Sequence, residues 1–335
     1  MHFWKTFKDV ASRIPGIVAF YHFLHQLFGS KKAVLTPLHR GRLPEIDQTC
    51  LKEKYLQSSV SDEADTFVLY RILGNDLVPR HKKGQTRENL RFILDNESEF
   101  SGCEKRFVVN RIVDTEEEEF IIRMLEKDGL KYIHIPFHRD DYLDAGWDIE
   151  GVPGEFAPCS PGFKALGPDS QGRVLMRINR CKNNYVMNNN GARNAALTQG
   201  KKLAKWVLPW DGNCFIAQGA WKEIVTAVQA SPEFPYFVVP MARITDNSLL
   251  LDSDYRPSAV EEPQLLFRRD SFLSFNDSFF YGRRPKVELL WRMGVPGNWD
   301  QWKLEPWDLP GPVYAAEAGA FAYAGWVARL NSGQQ

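Results

Sequence analysis

The chain has 335 residues, 44% of them apolar and 25% charged, ordinary proportions for a globular protein with enough chain for one large core or two smaller ones. Lysine plus arginine equals aspartate plus glutamate, 42 against 42, so no whole-surface positive field exists to hold a nucleic acid, although local basic patches remain available. The aromatic content is high, with 22 Phe, 11 Tyr and 10 Trp, which suits stacking surfaces and interfaces as well as a large core.

The five cysteines (Cys50, Cys103, Cys159, Cys181 and Cys214) are odd in number and widely spread, with no C-x-x-C pair. That pattern is neither a disulfide framework nor a zinc site, and it points to a reducing cytoplasm. No run of about 18 uninterrupted apolar residues occurs, so no transmembrane helix is expected. In residues 1–29, Lys5, Lys8 and Arg13 precede an apolar stretch over 14–28 that contains His22, His25 and Gln26. No small-x-small cleavage site follows, which argues against a signal peptide. Two readings stand: a helix lying in a lipid headgroup layer with help from Lys31 and Lys32, or a helix packed on the protein body or a partner. The first would place the chain peripherally at the inner face of the membrane.

Residues 30–62 are polar and weakly periodic and read as a connector. A buried strand is expected over 66–73, stopped by Gly74-Asn75-Asp76 and followed by a basic loop over 79–84. Thr86 is expected to cap a helix reaching Asn96. A second strand is expected over 105–113, a helix with an acidic first turn over 115–127, and a third strand over 131–137. Strand, helix, strand, helix, strand with short links is a βαβαβ unit, which makes a parallel sheet and places ligands at the carboxyl ends of its strands. Neither a dinucleotide fingerprint nor a P-loop is present. Residues 138–180, rich in Gly, Pro and Asp, read as a long irregular insert. A helix follows over 191–205, a strand over 206–210, a helix over 220–230, and strands over 236–243 and 264–268. The tail holds Trp291, Trp299, Trp302, Trp307 and Trp326.

The sharpest segment joins Gly191-Ala192-Arg193-Asn194-Ala195 to Trp206-Val207-Leu208-Pro209-Trp210-Asp211-Gly212-Asn213. A helix N-terminus with an arginine favours a phosphate group. A strand-end aspartate with a second oxygen ligand two residues on can hold Mg²⁺ or Mn²⁺, phosphates supplying further ligands. Together they describe a metal–diphosphate site.

This run, with Leu197 and Gly200 between its halves, resembles the nucleotide-sugar glycosyltransferases of the GT-A type, in particular the family-2-like group, over about residues 66–295. The resemblance implies an α/β fold with a mainly parallel, Rossmann-like sheet flanked by helices. It gives a catalytic domain at 63–295, preceded by a helical extension and connector (1–62) and followed by a Trp-rich segment packed on it (296–335). It implies transfer of a sugar from a nucleotide-diphosphate donor to a glycan or lipid-linked acceptor, metal-assisted, in cell-surface polysaccharide synthesis. Asp211 would contact the metal or ribose, and Asn213 would stand where relatives carry a second acid. Arg71, Asn75, Asp76 and Asp114 would face the base and ribose, and Arg193 and Asn194 would line the donor pocket.

Inverting members carry a later acidic pair whose carboxylate deprotonates the acceptor. Here Pro285 and Lys286 occupy those places. Asp277 and Glu288 then become the candidates for the base, and Arg283, Arg284 and Lys286 for neutralising the leaving diphosphate. Trp299, Trp302 and Trp307 would offer a platform for an acceptor sugar. The missing acidic pair and Asn213 also motivate a non-catalytic, glycan-binding or scaffolding reading. A nucleotidyltransferase is disfavoured because no Gly-rich basic triphosphate loop follows the first strand.

Overall fold

The computed structural model of the chain describes residues 36–38, 48–78, 81–279, 284–297, 299, 302–308 and 311–331. The N-terminal segment 1–29, with its expected helix, lies outside them. Within the expected connector, α1 (Gln48–Leu56) is helical, and β1 (Thr36–Leu38) pairs antiparallel with β9 (Trp302–Leu304). Among the described residues no helix is long and apolar enough to cross a membrane.

The βαβαβ unit forms as expected: β2 (Phe67–Leu73), α2 (Gln85–Asn96), β3 (Cys103–Asn110), α3 (Thr115–Lys127) and β4 (Lys131–Ile135). One detail differs. The α2 helix starts at Gln85 behind Gly84, whose φ of 81° suits a residue without a Cβ, and Thr86 does not cap it. The expected irregular insert is also corrected. Residues 138–187 contain α4 (Arg139–Asp144), α5 (Pro161–Ala165), α6 (Pro168–Ile178) and α7 (Arg180–Met187). The prolines that read as breakers open α5 and α6, where a missing N–H costs nothing.

Then come α8 (Asn189–Gly200), β5 (Trp206–Asp211), β6 (Cys214–Phe215), α9 (Gln218–Ala230), β7 (Tyr236–Arg243), β8 (Glu261–Arg268), α10 (Pro285–Met293), β10 (Phe321–Tyr323) and β11 (Val327–Arg329). The main sheet has nine strands in the order β4-β3-β2-β5-β8-β7-β11-β6, with β10 also pairing with β7. Strands β4, β3, β2 and β5 are parallel to one another; β8 runs against β5 and β7, and β6 against β11. This is an α/β protein with a curled, mostly parallel mixed sheet flanked by helices, compatible with a Rossmann-like fold. Only Gly212 and Asn213 separate β5 from β6, which lies at the far end of the strand order, so the sheet must curl to bring the two together.

The pleat of β2 divides the core. Phe67 and Leu69 pack with Trp206, Leu208 and Trp221, whereas Val68, Tyr70 and Ile72 pack with Ala192, Ala196 and Leu290 on the opposite face. Arg71 shares the face of Phe67 and Leu69. Its Nε donates to the Cys214 carbonyl (2.9 Å), and its NH2 donates to Glu97 (2.5 Å), which also accepts from the Ile216 N–H (2.8 Å). This buried pair ties β2 and the end of α2 to the chain just past β5.

Helix α8 reaches the sheet through Ala192, Ala196 and Gly200, small residues four apart on one face. A Cβ on Gly200 would lie 2.5 Å from Val207 Cγ1 and 3.1 Å from Val68 Cγ1. Helix propensity alone would make Gly200→Ala stabilising by about 1 kcal/mol. The close approach reverses the sign, and the variant is expected to lose roughly 1–3 kcal/mol in urea unfolding.

Candidate functional site

The carboxyl ends of β2, β5 and β7 open onto a cavity of about 380 Å³. Ile72 and Asp211 face each other across the β2–β5 register, so both strands end at this edge. Gly212 follows at once, and a Cβ there would sit 2.4 Å from the Ile72 carbonyl oxygen; only glycine lets the chain turn away so close to β2. The first residues of α2, α8 and α10 all line the cavity, each bringing the positive end of a helix dipole.

Asp211 sits where these elements meet. Its Oδ1 accepts from the NH2 of Arg193 on α8. Its Oδ2 accepts from Gln264 Nε2 on β8 (2.8 Å) and from Lys286 Nζ on α10 (3.2 Å). Burial alone would raise the pKa of this carboxyl. Lys286 and Arg193, with the Gln264 hydrogen bond, overcome that effect and hold it well below the usual carboxylate range. Arg193 also donates from NH1 to Asn190 (2.9 Å), while its buried Nε has no hydrogen-bond partner among the described residues.

Several expected residues line this cavity: Asn75, Asp76, Arg193, Asp211, Asn213, Arg284 and Lys286. Two of them also build it. Asn75 donates to the Arg111 carbonyl (2.7 Å) and accepts from the Val113 N–H (2.8 Å), joining the loops after β2 and β3. Asp76 accepts from the Thr86 N–H (3.0 Å) and hydroxyl (2.8 Å), the cap that Thr86 itself was expected to provide. Arg284 stands at the start of α10 with a φ of 55°, uncommon for a residue with a side chain.

Other expected residues lie elsewhere. Arg71 was expected to face a nucleotide, but it lies within β2 on the face of Phe67 and Leu69, where its side chain is in the core at 0% exposure. Asp114 caps α3 through the Glu117 N–H (3.3 Å) and pairs with Lys83 (3.4 Å) at a separate cavity of about 460 Å³. Asn194 donates to the Phe275 carbonyl (2.8 Å) and to Asp277 (2.6 Å), so the Asn194–Asp277 pair anchors the segment before α10 and lies outside the cavity lining. Glu288 is 2% exposed and accepts from Arg292 (2.6 Å); burial raises its pKa, and it too lies outside the lining. Neither expected base therefore faces the cavity.

Trp307 is 1% exposed, packs edge-on against Phe156 and donates to Glu305 (3.0 Å), so it offers no platform. Trp299 is half-buried and donates to the Val295 carbonyl (3.2 Å). Arg283 and the Trp302 side chain lie outside the described residues. An exposed tryptophan does occur at Trp147, 56% accessible, with Lys182 Nζ 5.2 Å from its ring centre. Cys214 is buried, and burial pushes its thiol up to about 12, which suits a structural thiol rather than a nucleophile.

Sequence reasoning missed Gln264, Glu261, Glu262 and Arg329, all close to Asp211 in space. Glu261 pairs with Arg243 (3.0 Å) and more loosely with Arg329 (3.8 Å); Glu262 lies 3.5 Å from Lys286. Their signal was the charge at the ends of strands whose positions depend on sheet order.

The residues at Asp211 and Asn213 do not suit a divalent metal ion. Both Asp211 oxygens already take donors, two of them cationic, and Asn213 offers an uncharged amide where a second acid was expected. Among the described residues no three His, Cys, Asp or Glu side chains gather as a metal-holding group. Four cations, Arg193, Arg284, Lys286 and Arg329, and four acids, Asp76, Asp211, Glu261 and Glu262, line the concave site together with three helix N-termini. No protein-family model matches the chain, and no curated protein matches it in sequence.

The pKa of Asp211 carries a stability prediction. A carboxyl whose folded pKa lies below its unfolded value, about 3.9, gives full stabilisation above that pH and loses it as the pH falls further. The urea midpoint of the wild-type protein is expected to drop between pH 6 and pH 3, and Asp211→Asn is expected to drop less over the same interval.

Proposed function

We propose that the chain is a glycosyltransferase of GT-A type that takes a sugar from a nucleoside-diphosphate donor and transfers it to a hydroxyl of a glycan or lipid-linked acceptor in cell-surface polysaccharide synthesis. One observation carries the reading: the A-R-N arginine and the D-G-N aspartate, 18 residues apart in one run, meet at the carboxyl edge of the parallel strands, on the wall of a cavity that three helix N-termini face. A diphosphate fits that electrostatic setting, and the open cavity leaves space beside it for a sugar.

In this reading the acceptor oxygen attacks the anomeric carbon, the bond from that carbon to the diphosphate oxygen breaks, and the diphosphate leaves with the electron pair. The hydroxyl proton passes to a carboxylate. Of the acids lining the cavity, Asp211 is held by two cations, Asp76 caps α2, and Glu261 is paired with Arg243. Glu262 remains, in ion contact with Lys286 at 3.5 Å, and takes the role expected of Asp277 or Glu288. Trp147, one of the exposed aromatic rings among the described residues and outside the cavity lining, is proposed to meet an acceptor sugar. Peripheral contact with the inner face of a membrane through residues 1–29 belongs to the same proposal.

The test is transfer or donor hydrolysis across UDP-, GDP- and CMP-sugars. Glu262→Gln should lower kcat by about 10²–10⁴-fold while nucleotide affinity stays within a few-fold. Failure to bind any nucleotide overturns the proposal. The non-catalytic reading draws on the places of the missing acidic pair, filled by Pro285 and Lys286. It predicts glycan binding without turnover, unaffected by Glu262→Gln.

A further inference from the structure

We propose that the cavity grips its donor's diphosphate with side-chain cations in place of a divalent metal ion, so that nucleotide binding persists in a metal chelator. The inference rests on the donor reading above and specifies how that site works. It starts from the occupancy of Asp211. Arg193 and Lys286 both reach its carboxylate, so a metal ion at Asp211 would meet two cations at close range, with Glu262 3.5 Å from Lys286. A divalent ion beside Asp211 would be repelled by each of these cations twice as strongly as a single charge at the same distance. To ligate Asp211 the ion would have to crowd the buried Arg193 and Lys286 and weaken their pairing with that carboxylate.

The same residues suit an anion. Lys286 is buried in the wall, and its nitrogen also lies within 3.5 Å of Glu262. Arg193 brings a buried Nε without a hydrogen-bond partner among the described residues. Arg284 is exposed at the cavity mouth, has no ion pair among the described residues, and is held in the left-handed region by the start of α10. Arg329, from β11, also lines the cavity, and its one ion pair among the described residues is a 3.8 Å contact with Glu261. Guanidinium groups match phosphate oxygens two at a time, which a lysine cannot do. Arg284 and Arg329 therefore hold the diphosphate, while Lys286 and Arg193, already oriented by Asp211, meet the charge that develops as it leaves.

Calorimetric titration of the full chain with UDP, GDP and CDP separately, first in excess EDTA and then in Mn²⁺ or Mg²⁺ without chelator, tests this. At least one nucleotide is expected to bind in EDTA within a few-fold of its affinity in metal. Arg284→Ala and Arg329→Ala are each expected to weaken that binding by about tenfold. Circular dichroism confirms that both variants fold. Binding that appears only with metal overturns the inference and leaves the donor reading standing. Binding in EDTA that neither arginine variant alters also overturns it. Absence of binding under every condition overturns the donor reading together with the inference.

Discussion

The carboxylate of Asp211 holds the candidate site together. Arg193, Gln264 and Lys286 come from α8, β8 and α10, three elements that approach the sheet edge from different directions and meet at this one side chain. A charged group at the end of a central strand is costly unless its partners arrive with it, and here two cations and an amide do so. Packing of α8 and α10 on the sheet is thereby coupled to the electrostatics of the cavity. Strand, helices and pocket wall cannot be set independently.

A second buried pair supports the first from beneath. Arg71 and Glu97 lie on the far face of β2, and each contacts the chain just beyond the D-G-N turn, at Cys214 and Ile216. The turn is thus fixed from both faces: by the Arg71–Glu97 pair below, by Arg193 and Lys286 above, and by the close approach of Gly212 to Ile72 between them. Arg71, expected to touch a ligand, instead fixes the backbone that presents Asp211. Its chemistry was legible in the sequence but its direction was not, because the alternation of a strand buried on both faces does not say which face meets the ligand edge.

What could be read from the residues follows the strength of local pattern. The βαβαβ unit has long apolar strands, amphipathic helices and clear stops, and it forms where expected. The stretch 138–187 has none of these at comparable length. Its helices run from five to eleven residues, and Pro161 and Pro168 open them, so the same residues that mark a break also mark a beginning. The cavity was half legible. Arg193 and Asp211 share one recognisable run. Gln264, Glu262 and Arg329 enter only because β8 runs backwards between β5 and β7 and because β11 takes a place beside β7, which are properties of topology. The tryptophans were least legible: without a period, nothing in the sequence separates Trp307 in the core from Trp147 in solvent.

The position of β11 also bears on how the molecule is made. This strand comes last among the described elements, yet it lies between β7 and β6 and closes one wall of the cavity with Arg329. A nascent chain that has completed the βαβαβ unit, D-G-N turn and α10 still has β6 without a neighbour. Its anion site remains open on one side until residues 327–329 arrive. Pairing at such sequence separation is slow, because the loop must close before any contact rewards it. Competence to bind is therefore acquired late in synthesis, and an interrupted chain would carry the site's most recognisable residues without the ability to use them.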